Sequence, residues 1–177
     1  MSKLKTGDTA IDFSLPGTEG GNYSLSSFKD SKALAVVFSC VHCPYVLAWE
    51  GRLIDLARKY RSAGFAMVLI CANDPVKYPA DNFENMAEHA RKKLYPFPFL
   101  QDESQEVARA YGAERTPEIF LFDSGRRLVY HGAPDDNHED PGAVRARYLK
   151  DAVEAVLAGK PVAVEQIPPV GCTIKWK

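Results

Sequence analysis

The segment Cys40-Val41-His42-Cys43, set between an apolar run and a stretch of helical periodicity, constrains this chain more than any other feature. Residues 33–39 are apolar without polar alternation, as in a central strand buried on both faces, and the run stops one residue before Cys40. Over 44–61, Val46, Leu53, Ala57 and Tyr60 recur at helical spacing, with Leu47, Ile54 and Leu56 beside them. Pro44 suits a first turn, where no amide donor is needed. The cysteines therefore stand where a strand hands over to a helix. A second apolar run over 65–72 completes a strand, helix and strand, whose crossover is expected to be right-handed.

Further along, helices are predicted over 81–93 and 104–111, the second ended by Gly112, with an extended 98–101 between them. These make a helical insert. Segments 119–122 and 128–131, joined across Asp123-Ser124-Gly125, read as an antiparallel hairpin. A polar loop follows, then a helix over 143–158 whose buried stripe is Leu149, Ala152, Val153 and Val156. Ahead of all this, an extended 11–15 and a turn through Gly17, Gly20 and Gly21 predict an N-terminal hairpin covering a sheet edge. The expected class is α/β, with a central mixed sheet built as βαβ plus ββα. At 177 residues the chain fits one domain over 1–160, with 161–177 as a tail docked on it.

Composition narrows the partners. With 22 Lys plus Arg against 23 Asp plus Glu, the net charge of −1 gives no global field to recruit nucleic acid or an anionic membrane. The longest apolar run, 65–72, falls short of the roughly 18 residues a membrane-spanning helix needs. The N-terminus has neither the apolar block nor the cleavage site of a signal peptide, so the cytoplasm is the expected compartment. Four cysteines are too few for a disulfide scaffold.

Chemistry concentrates on the CxxC. Its two-residue spacing lets both sulfurs face each other across the first turn of a helix, where free amides and the helix dipole stabilise a thiolate. Cys40 is expected to attack and Cys43 to resolve the mixed disulfide. A protonated His42 beside Cys40 would favour the thiolate and make the pair more oxidising. A zinc site competes as a reading, but there is no second CxxC or HxxxH, and only Cys71, Cys172 or distant histidines could complete it. Covalent haem needs CxxCH, and Pro44 follows Cys43. No metal or other cofactor is expected. Thr116-Pro117 opens a strand, and Pro117 there marks a strand start, an edge or a cis bond. Cys71 reads as a buried small hydrophobe, and His138, in the acidic run 135–140, as part of a solvated loop. His89 and His131 have no partner legible in sequence.

Over nearly its whole length the chain resembles the thioredoxin-fold branch that joins alkyl hydroperoxide reductase and thiol-specific antioxidant proteins to thiol-disulfide oxidoreductases. Gly7-Asp8 and Asp12-Phe13, the stretch from Cys40 to Val46, Thr116-Pro117-Glu118 and the ending Gly171-Cys172-Thr173-Ile174-Lys175-Trp176 carry that resemblance to a peroxiredoxin-like subfamily. It implies a three-layer thioredoxin-like fold in which Pro117 is cis and, with Thr116, shapes the substrate groove. Two positions depart from the pattern. Val41 stands where relatives often have Asn, and Arg115 where they often have Cys. The peroxidatic cysteine of peroxiredoxins corresponds to Cys43, yet their preceding threonine or serine is here Cys40 and their proline Val36. Arg115 lies about where a peroxiredoxin arginine reaches the thiolate.

The expected activity is thus thiol-disulfide exchange, acting on protein or small-molecule thiols and disulfides. Thiol-dependent, antioxidant peroxidase chemistry through a sulfenic acid is the alternative, and a metal-binding module is the third reading. A homodimer is left open. Cys172, in a tail carrying the apolar Ile174 and Trp176, would resolve a disulfide or sulfenic acid on Cys40 or Cys43 if the tail folds over the pair, and is structural otherwise.

Overall fold

A computed structural model describes residues 3–177. Two short strands, β1 (Leu15–Pro16) and β2 (Asn22–Tyr23), form the N-terminal hairpin. The main sheet begins with β3 (Ala33–Phe38), leads through helix α1 (Pro44–Tyr60) into β4 (Phe65–Cys71), then through α2 (Phe83–Lys92) into β5 (Phe99–Gln101). Helix α3 (Glu106–Tyr111) and the short β6 (Arg115–Thr116) precede the hairpin of β7 (Glu118–Phe122) and β8 (Leu128–Gly132). Helix α4 (Tyr148–Leu157) and a last short strand, β9 (Cys172–Thr173), complete the chain.

The five-stranded sheet runs β5-β4-β3-β7-β8, parallel among β3, β4 and β5 and antiparallel across β3, β7 and β8. That is the expected βαβ plus ββα arrangement with a mixed, thioredoxin-like sheet. All six residues of β3 are fully buried, which explains why the sequence there shows no polar alternation. One face packs Ala35, Val37, Met67 and Leu69 against Leu53 and Ala57 of α1, Met86 of α2 and Val153 of α4. The other packs Val36, Phe38, Ile70 and Phe120 against Ala108 and Tyr111 of α3, the N-terminal Phe13 and Leu15, and Ile174 near the C-terminus. The N-terminal hairpin meets the sheet edge at Gly17, which bridges to Leu100 on β5.

One boundary differs from expectation. Helix α4 starts at Tyr148 rather than near 143, because the Asp140 carboxylate caps a separate single turn over Pro141–Ala143 and the chain then extends at Val144. Val156, expected in the buried stripe, is only half-buried, whereas Leu149, Ala152 and Val153 are buried.

After α4 the chain returns across the sheet end. Ile167 N–H donates to the His131 carbonyl at 3.0 Å, and Gly132 (φ 147°) allows the close approach, since a Cβ there would lie 2.2 Å from the Ile167 carbonyl oxygen. Strand β9 then pairs antiparallel with β6, setting Cys172 opposite Thr116.

Candidate active site

Four segments converge at the C-terminal end of β3. Ser39 ends the strand, with its amide on the Ile70 carbonyl at 2.8 Å, and Cys40 to Cys43 turn into α1, whose first helical residue is Pro44. Opposite lies the cis peptide Thr116-Pro117, as the resemblance implied. Thr116 touches both cysteines: its hydroxyl lies 3.6 Å from the Cys40 sulfur, and its carbonyl oxygen lies 3.3 Å from the Cys43 sulfur. The loop into Pro117 is held by Glu118, whose carboxylate accepts from the Glu114 and Arg115 amides at 2.8 Å each and pairs with His131 at 2.7 Å. This gives His131 its partner.

The two thiols are not equivalent. Cys43 is the N-cap residue of α1. The Cys40 thiol, the Cys172 thiol and the amides of Val46 and Cys172 favour its ionised form, outweighing burial and lowering its pKa from 9.0 to about 4. The Cys40 thiol is pushed well up by its hydrogen bond to Cys43, by burial and by the nearby Asp81 carboxylate. The hydrogen bond between the two sulfurs thus shares one proton within the pair. His42 lies beside Cys40, with a ring nitrogen within 4.8 Å of its sulfur. Its Nδ1 lies 2.5 Å from the Asp81 carboxylate.

Asp81 is the site residue that sequence reasoning missed. It is completely buried and also accepts from the Val41 amide at 2.7 Å and the Asn73 side-chain amide at 2.9 Å. It sits just before α2, where the sequence predicts the first residue of a helix over 81–93. Asn82 supplies the cap, bonding the Asn85 amide at 2.8 Å, and leaves Asp81 facing the cysteines. One donor atom each from Cys40, His42 and Asp81 lies within 4.8 Å of the others, a set chemically suited to zinc, although all three of these carboxylate contacts already hold Asp81 in place.

Arg115 does not reach the Cys43 sulfur. It is exposed, and its guanidinium donates to the Gly171 carbonyl at 2.9 Å, so it fastens the tail. Cys172 is brought to the site, facing Cys43, while Cys71 is buried in β4. His138 lies outside, its ring 4.5 Å from that of Tyr45, on a loop tied down by Asp135 bonds to Trp49 and Arg52. No helix among the described residues is long and apolar enough to cross a membrane.

Residues 5–146 match the Redoxin family. The fold closely matches two crystal structures. A hypothetical protein from Sinorhizobium meliloti 1021 is 42% identical with a TM-score of 0.93, covering 99% of this chain and 97% of that one. An uncharacterized conserved protein from Geobacillus kaustophilus is 39% identical with a TM-score of 0.94, covering 99% and 94%. Peroxiredoxin Bcp of Escherichia coli (strain K12) is 28% identical over 112 residues, 63% of this chain and 67% of that protein.

Proposed function

The chain belongs to the Redoxin family and is an oxidoreductase, and from that premise we propose that it exchanges thiols and disulfides through the Cys40/Cys43 pair. One observation carries the reading: two completely buried sulfurs of one CxxC meet the same Thr116 beside a cis proline. Such a pair stores two electrons as a dithiol and releases them as a disulfide. The thiolate on Cys43 makes it the nucleophile in this reading, with Cys40 resolving, its proton leaving towards the Asp81–His42 pair. Thr116 and Pro117 border the groove, and the cytoplasm, with its thiol reductants, is the setting that suits the site.

Reduction of a protein disulfide by the reduced enzyme tests the reading. Turnover should fall at least about a hundredfold in either Cys40→Ser or Cys43→Ser, and unchanged turnover in both would end it. Peroxidase action has one observation in its favour. Cys43, the position that corresponds to the peroxidatic cysteine, holds the thiolate, and a thiolate is the form that a hydroperoxide oxidises to sulfenic acid. Consumption of hydrogen peroxide with a thiol reductant, lost in Cys43→Ser, would place antioxidant chemistry here as well.

A further inference from the structure

We propose that Cys172 is a third redox thiol of this site, forming a disulfide with Cys43 and serving as the sulfur through which partner thiols enter and leave. The inference rests on the dithiol reading above and extends it. Cys40 and Cys43 are completely buried, whereas Cys172 is half-exposed, so a partner meets Cys172 first. Register places it there: β9 pairs with β6 so that Cys172 stands opposite Thr116, the residue whose carbonyl contacts the Cys43 sulfur.

The tail carrying Cys172 is fixed on both sides of it. Upstream, Gly171 packs so tightly that a Cβ would come within 2.0 Å of the Thr116 carbonyl oxygen, and Arg115 holds the Gly171 carbonyl at 2.9 Å. Downstream, the Ile174 amide donates to the Glu114 carbonyl at 2.9 Å, the Lys175 amide to the Asn73 side chain at 2.9 Å, and Trp176 lies 4.4 Å from the Arg109 guanidinium. A merely structural tail cysteine has no reason to be fixed opposite the residue that contacts the Cys43 sulfur.

The chemistry balances. A partner thiolate attacks the partly exposed Cys172 sulfur of a Cys43–Cys172 disulfide, and Cys43 leaves as a thiolate. A thiolate of low pKa is a good leaving group, which directs attack to Cys172. The partner's second thiol then attacks the partner sulfur of the mixed disulfide, forming the partner disulfide and returning Cys172 as a thiol with that proton. The dithiol partner loses two electrons and the enzyme gains them. Inside the site, the Cys172 thiol attacks Cys43 of a Cys40–Cys43 disulfide and Cys40 leaves as a thiol with the transferred proton, so Cys43 is the pivot between two alternative bridges.

The test oxidises the full chain with oxidised glutathione, blocks free thiols in acid and maps peptides without reductant. Wild type should yield both Cys40–Cys43 and Cys43–Cys172 linked peptides, Cys40→Ser chiefly the second, and Cys43→Ser glutathione on Cys172 rather than on Cys40. Reduction of the oxidised enzyme by dithiothreitol should slow at least about tenfold in Cys172→Ser. If Cys40→Ser carries glutathione on Cys43 with Cys172 free, or if Cys172→Ser is reduced as fast as wild type while still forming the Cys40–Cys43 bridge, this inference falls and the dithiol reading stands. Absence of any Cys40–Cys43 bridge in wild type would instead fell the dithiol reading.

Discussion

A hydrogen bond between two cysteines only three positions apart divides the labour between them. The hydrogen bond between the two sulfurs lowers Cys43 and raises Cys40, with the Cys172 thiol and the Val46 amide adding to the first effect and burial and the Asp81 carboxylate to the second. Thiolate absorbance near 240 nm in the reduced protein should therefore persist down to about pH 4 and disappear with Cys43→Ser. A first step near the free-cysteine value of about 8.5 would contradict the assignment. Asp81→Asn keeps an oxygen for the Val41 amide but removes the charge. In a Cys43→Ser background it should move the Cys40 absorbance step to lower pH, and an unmoved step would assign the whole upward shift to burial. The part of Asp81 was not legible in the sequence, because it lies far from the CxxC along the chain, at the start of a predicted helix. Only the fold aims it inward.

Among the elements, legibility follows burial pattern. Strands β3 and β4 and helix α1 could be read because each buries a continuous run or a regular stripe, and the β7–β8 hairpin because its turn chemistry separates two apolar segments. What hid from the sequence were pairings of polar groups across elements: Glu118 with His131, and Glu50 of α1 with His89 of α2. Periodicity marks which face is apolar and says nothing of which buried carboxylate meets which imidazole. Glu50 shows what such a pairing does. Burial alone would push its carboxyl up, but His89 at 2.7 Å, the Tyr95 hydroxyl at 2.9 Å and Lys93 at 3.2 Å outweigh it and hold the pKa below 4.5. A carboxyl with a depressed folded-state pKa contributes stability above its unfolded value and loses it as pH falls through the folded one. Glu50→Gln should cost about 1 to 3 kcal/mol near neutrality. Thermal unfolding of the two proteins should converge as pH drops from about 6 to 3, because protonation then removes in wild type what the substitution has already removed.

At the scale of the molecule, the tail closes the fold as well as the site. Both sheet faces bury side chains, and the face carrying Phe38 and Phe120 is completed by Ile174, 3% exposed, from the last residues of the chain. The same short segment places Cys172 opposite Thr116, so the packing that stabilises the protein also seals its thiols. The apolar Ile174 and Trp176 made docking readable from the sequence; the register with β6 was not readable, because a two-residue strand has no pattern to align. If the tail is part of the core, Ile174→Ala should lower global stability. A buried Ile→Ala change typically costs about 2 to 5 kcal/mol, and even the lower bound corresponds to roughly 4 to 8 °C in a chain of this size. It should also speed the reaction of Cys43 with a bulky disulfide reagent, because loosening β9 uncovers the sulfur. The two readouts separate the alternatives. A tail that only lies on the surface would change reactivity and leave the main unfolding transition where it was, whereas a tail built into the core shifts the transition and opens the site together.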